Sequence, residues 1–211
     1  MMTSPLPIVV LISGGGSTLE NLLLHQRAKG LPIEFRAVIS SRASVRGVQI
    51  ARDAGIPTHV LRKKDFGDAM QHRDAVFHLV RNCDAQLVVM GGYLEHLLIP
   101  EDFEGRVVNI HPSLIPSFSG HGFYGLHVHQ AAIDYGVKVS GCTVHLVDNQ
   151  FDHGPIIHQS VCEVRADDTA ESLQKRVFQL ECETLPKVLD WFARGMIQWN
   201  PATRTVKTPC G

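Results

Sequence analysis

No Cys-x-x-Cys pair occurs in this chain, and no His or Cys set stands at zinc-like spacing, although it holds five cysteines and 12 histidines. Cys83, Cys142, Cys162, Cys182 and Cys210 are scattered and odd in number. That excludes a disulfide framework and suits a reducing, cytoplasmic setting. His127 and His129 are too close for a helical ligand pair, and His153 and His158 lack a ligand framework around them, so no metal is expected. Charge of one sign is missing too: Lys plus Arg number 20 against 21 for Asp plus Glu, leaving no field to draw nucleic acid or an anionic membrane. No run approaches the roughly 18 apolar residues of a bilayer span. The start, "MMTSPLP", has no basic segment ahead of an apolar one, so no signal peptide is expected. Repeats and low-complexity linkers are absent. What is present is 211 residues at 44% hydrophobic content, enough for one core. A single domain over 1–211 is expected, with a loose polar tail from about 201, and small molecules are the expected partners of a monomer or homodimer.

Short apolar runs alternate with amphipathic stretches, the pattern of a sheet wrapped by helices. Strands are expected at 8–13, 35–40, 57–62, 85–92 and 106–112, with helices after the glycines at 14–16, through 45–55 and over 66–81. Such alternation implies right-handed crossovers and a mostly parallel, Rossmann-like twisted sheet with helices on both faces. The second half reads differently. A helix around 128–135 precedes two strands, 138–148 and 154–164, with only a loop between, which predicts an antiparallel pair. A long helix follows from 168 or 169 towards 194, with Pro186 as a point of kinking, and "IQWN" reads as a short last strand.

Two stretches carry chemistry. "SGGGST" (13–18) joins the first strand to the first helix, where backbone N–H groups and the helix dipole favour an anion. It lacks the third glycine of a dinucleotide fingerprint, since position 19 is Leu19, and it lacks the Gly-Lys pair of a Walker loop. A monophosphate ester is the inference; a plain strand-to-helix turn is the alternative. "VVNIHPSLIP" (107–116) places Asn109 and His111 on one face of a strand, with Ile110 on the other. Pro112 ends that strand, so both groups stand at its carboxyl rim, the edge where open α/β sheets place ligands. A histidine doing acid-base work there needs a carboxylate. Asp152 in "DNQFDHGP" is the candidate, and spacing alone leaves open whether it reaches His111.

In these blocks the chain resembles the folate-dependent phosphoribosylglycinamide formyltransferases, a branch of the formyltransferase family. "VLISGGGSTL", "NIHPSLIPSF", "GCTVHLVD" and "DHGPII" stand in that family's order. The resemblance implies the formyltransferase fold and transfer of the formyl group of 10-formyltetrahydrofolate, as co-substrate, to the amine of glycinamide ribonucleotide in purine biosynthesis. It implies that Asn109 and a protonated His111 serve the formyl oxygen, with Asp152 raising the His111 pKa. Gly16, Ser17 and Thr18 match phosphate-cradling positions, and Glu181 matches a carboxylate that meets the amine. Leu94, Glu95, His96 and Leu97 match a pterin-contacting segment, Asp148, Asn149, Gln150, Phe151 and Asp152 the loop enclosing it, and His145 a supporting histidine. Departures are visible. Gly15 and Thr18 stand where many relatives have Asn, and Glu95 and His96 interrupt a Met-Arg-Ile-Leu segment. The stretch 117–129 reads as a mobile cover.

Other readings remain within and outside the family. A formyltetrahydrofolate deformylase would use the same Asn-His-Asp set on water, with a further N-terminal domain expected. A methionyl-tRNA formyltransferase would need a C-terminal domain and a basic surface, and a sugar-amine formyltransferase is a weaker alternative. A non-catalytic nucleotide-binding module would account for the glycine loop but not for Asn109, His111 and Asp152.

Overall fold

The computed structural model describes residues 4–209, so Cys210 lies outside the described residues. Chain order is β1 (Leu6–Ile12), α1 (Ser17–Lys29), β2 (Ile33–Ser40), α2 (Arg46–Asp53), β3 (Thr58–Val60), α3 (Ala69–Asn82), β4 (Leu87–Met90) and β5 (Val107–His111). Then come α4 (Leu126–Tyr135), β6 (Val139–Leu146), β7 (Ile156–Glu163), α5 (Ala170–Ala193), β8 (Gln198–Asn200) and β9 (Thr205–Lys207). The alternation expected from the apolar runs is present, with strand ends shifted by a residue or two: β1 and β2 start two residues earlier, and β3 to β5 are shorter. Seven strands form one sheet in the order β3-β2-β1-β4-β5-β6-β7. β1 to β5 are parallel; β6 pairs antiparallel with both β5 and β7.

Strand alternation divides the core into two layers. Ile8, Val10 and Ile12 of β1 join Leu19 and Leu22 of α1 and Leu173, Val177 and Leu185 of α5 on one face. Val9 and Leu11 pack with Val76, Phe77 and Val80 of α3 on the other. Both faces are covered, which is why the parallel strands read as continuous apolar runs. No helix of the described residues is long and apolar enough to cross a membrane.

α5 runs from 170 to 193 as one helix with Pro186 buried inside it. One expectation is corrected: the tail is not loose, since β8 and β9 pair as an antiparallel hairpin. Trp199 anchors it, its ring lying 2.5 Å from where a Cβ on Gly105 would stand, so the absent side chain of Gly105 makes room for the indole.

Candidate active site

Strand order reverses between β1 and β4, and the crevice at that reversal opens at the carboxyl ends of the strands. A cleft of about 710 Å³ lies there. Its walls include Ser17 and Thr18 after β1, Gly92 to Leu94 after β4, Asn109 to Pro112 of β5, Gly120 to Gly125, His129, Phe151 and Asp152, and Gln174, Lys175, Phe178 and Glu181 of α5.

At one end polar side chains interlock. Asn109 stands in register with His145 of β6, and its Nδ2 lies 3.2 Å from His145 Nε2 and 3.4 Å from Asp152 Oδ1. His145 Nδ1 is 2.8 Å from the Leu146 carbonyl. The Leu146 carbonyl, an acceptor only, takes the Nδ1–H of His145. His111 Nδ1 lies 3.4 Å from Asp152 Oδ2, and its Nε2–H donates to the Phe118 carbonyl at 2.9 Å. The Gly120 N–H donates to Asp152 Oδ2 at 2.9 Å. Asp152 therefore reaches His111 across 41 residues of chain, the point that spacing left open.

Electrostatics correct one expectation. Burial pulls the His111 pKa down and outweighs the opposing pull of Asp152 and of the Phe118 carbonyl, with His145 adding to the lowering. His111, 4% exposed, is held towards the neutral form in this arrangement. Asp152 goes the other way from its burial. Burial raises its pKa, but the imidazoles of His145 and His111 and the Gly120 N–H together bring it below the ordinary carboxylate range. Two further groups shift in the same cleft. Burial pushes the Glu181 carboxyl up to about 7. Burial, aided by His111, takes His129 down to about 4, and His129 Nδ1 has no hydrogen-bond partner among the described residues.

The other end is backbone-built. Gly16 caps α1 in the left-handed region (φ +74°), and a Cβ there would stand 2.5 Å from Gly47 Cα. Gly14 and Gly15 have open space around them. No side chain caps α1, whose first residues Ser17 and Thr18 line the cleft. The turn is held from behind by buried Ser13. Its hydroxyl meets that of Ser41 at 2.7 Å and accepts the Leu94 N–H at 2.9 Å.

Not every expected residue reaches the cleft. Of 94–97, only Leu94 borders it; Leu97 is core, Glu95 lines a separate depression with Arg42, Arg62 and Lys63, and His96 packs on Phe151 at 4.8 Å between ring centres. Of 148–152, Phe151 and Asp152 border it. Asp148, Asn149 and Gln150 instead tie the loop down: Asn149 Oδ1 accepts the Ile99 N–H at 2.7 Å. Gly16 shapes the turn without lining the cleft. Glu181 reaches the cleft as expected; Ser13, Ser41, Tyr93, His129 and its α5 row-mates Gln174 and Phe178 were missed. Counting back from Glu181 by three and four along a helix would have found that row; nothing local marks Ser13.

Residues 6–189 match the formyl transferase family. The chain belongs to the formyl transferase family. Among its formyl transferase relatives, the phosphoribosylglycinamide formyltransferase of Escherichia coli is 34% identical over 196 residues, 92% of this chain and 90% of that one. A solved phosphoribosylglycinamide formyltransferase from Coxiella burnetii superposes with a TM-score of 0.84 at 38% identity, covering 93% of this chain and 90% of that one. The trifunctional purine biosynthetic protein adenosine-3 of Gallus gallus is 36% identical over 204 residues. This chain spans 20% of that protein, and 62% of the chloroplastic phosphoribosylglycinamide formyltransferase of Vigna unguiculata.

Proposed function

We propose that this chain is a phosphoribosylglycinamide formyltransferase, moving the formyl group of 10-formyltetrahydrofolate to the amine of glycinamide ribonucleotide in the cytoplasm, as one domain. The observation that carries the reading is the joining, in one cleft, of the Asn109–His111–Asp152 cluster to the uncapped α1 terminus with Ser17 and Thr18. A reacting centre and an anion cradle face the same space.

In this reading the amine nitrogen attacks the formyl carbon, and the carbonyl electron pair moves to oxygen. Asn109 and His111 donate to that oxyanion, a contribution on the order of several kcal/mol in a water-poor cleft. For His111 this means exchanging the Phe118 carbonyl for the oxyanion, so the segment 117–125 yields as substrate enters. The developing negative charge then favours the imidazolium that burial disfavours. Collapse breaks the bond to N10, and a proton lost by the amine ends on N10. Asp152, kept ionised, supports the imidazolium during that transfer. Glu181, with its pKa near 7, is matched to binding the amine and taking its first proton. Leu94 and Phe151 wall the pterin side.

The test is a product assay with both substrates. Formylated glycinamide ribonucleotide forming in step with folate consumption supports the transferase. Formate released equally fast with and without glycinamide ribonucleotide would replace it with the deformylase reading.

A further inference from the structure

The β8–β9 hairpin lies past residue 189, where the family match ends, yet it touches the loop that carries Asp152. At its turn Arg204 (φ +51°) sends Nη2 to 2.6 Å from Asp148 Oδ2. The same oxygen accepts from His153 Nδ1 at 2.8 Å, and Asp148 Oδ1 accepts the Gln150 N–H at 2.9 Å. Asp148 thus links the hairpin to residues on both sides of Asp152. We propose that Arg204 is a positioning residue: it fixes Asp148, and through Asp148 the 148–153 loop, so that Asp152 stays set against His111 and Asn109. The kinetic consequence rests on the formyl-transfer reading; the mechanical one does not.

The loop needs such a restraint. Asp152 sits at φ +49°, a region that side chains other than glycine adopt at a cost of about 1 kcal/mol or more unless their surroundings impose it. Its base is pinned, since the Leu146 N–H bonds to the Pro155 carbonyl at 2.8 Å and a Cβ on Gly154 would collide with the Leu146 carbonyl. Its far side is pinned through Asn149 to Ile99 and to His96, whose Nε2 lies 3.0 Å from the Asn149 carbonyl. The face towards the C-terminus is held by Asp148, which pairs with Arg204 and accepts from His153. Burial raises the Asp148 pKa, but the bonds from His153, Arg204 and the Gln150 N–H overcome it and keep the carboxylate charged. Arg204 is delivered by a folded element, because Trp199 and Val206 pack against the main core. The Arg204 side chain is 53% exposed, so its grip is modest and weakens with salt.

The experiment compares the full-length chain with Arg204→Gln and Arg204→Lys by steady-state kinetics and by amide hydrogen exchange. Arg204→Gln is expected to raise KM for 10-formyltetrahydrofolate by about two- to fivefold, scaled to an exposed ion pair, with KM for glycinamide ribonucleotide unchanged. Arg204→Lys restores at least half of the loss. Exchange across 149–154 accelerates in Arg204→Gln while β1 and β4 keep their protection. Adding Asp148→Asn to Arg204→Gln produces little further loss, the signature of one coupled pair. Unchanged folate KM together with unchanged loop exchange in Arg204→Gln overturns the proposal. The exchange arm needs no turnover, so absence of formyl transfer by the unmodified chain sinks the functional reading alone, and the clasp stands or falls on exchange.

Discussion

At the β5 end of the cleft, side chains hold side chains: Asn109, His111, His145 and Asp152 constrain one another in a buried cluster. At the α1 end the cleft meets a helix start with no side-chain cap and two hydroxyls, behind a glycine turn backed by Ser13. The first end tunes protonation: burial lowers the His111 pKa, whereas the neighbouring imidazoles and the Gly120 N–H outweigh burial at Asp152. The second tunes shape, because a left-handed Gly16 fixes where the N–H groups point. On the formyl-transfer reading, losing an atom at the first end is expected to change chemistry, and changing the backbone at the second to change binding.

The largest effect that sharpens this contrast is expected for His111→Ala and Asp152→Asn. Each lowers kcat by roughly 10²- to 10⁴-fold, with glycinamide ribonucleotide affinity, read by calorimetry, changed little. Turnover that survives either change removes that residue from the mechanism. Gly16→Ala comes next. It places a Cβ at positive φ and against Gly47, so denaturant unfolding should show a loss of about 1–3 kcal/mol and KM for the ribonucleotide should rise more than kcat falls. A variant with unchanged stability and KM breaks the claim that backbone shape sets that end.

Glu181 gives a pH test of burial. Its folded pKa is raised to about 7, so the folded state holds its proton more tightly than the unfolded chain. Its stabilising contribution is complete below the unfolded carboxyl pKa and is lost as pH rises towards about 7. Glu181→Gln should flatten that slope, gaining about 2–3 kcal/mol relative to the parent at pH 8. Parallel stability curves from pH 4.5 to 8 contradict it. Smallest is Ser17→Ala, about a threefold to tenfold rise in ribonucleotide KM, the size of one hydrogen bond to an anion; kcat should not move.

Much of this was legible in the chain. Apolar runs fixed β1 to β5, and the missing helix between β6 and β7 announced their antiparallel pairing. Asn109 and His111 were readable as a pair because strand period and Pro112 are local facts. The 94–97 and 148–152 segments were readable only as neighbourhoods. Which of their side chains line the cleft depends on loop paths, so Leu94, Phe151 and Asp152 reach it and Glu95 and Asn149 do not. The strand at "IQWN" was readable, but its partner β9 and their pairing were missed because a polar three-residue strand carries no periodic signal, and Trp199 finds its place only against Gly105.

By itself, then, the sequence determined what is set by neighbours along the chain: the parallel wrap of strands and helices, the glycine turn, and the polar rim of β5. Tertiary structure alone decided the contacts between distant segments. It brought Asp152 to His111, buried both so that desolvation outweighed their mutual attraction at the imidazole, and set Arg204 on Asp148. The reason is physical: a pKa and a contact belong to the space around a group, and that space is filled by residues tens of positions away.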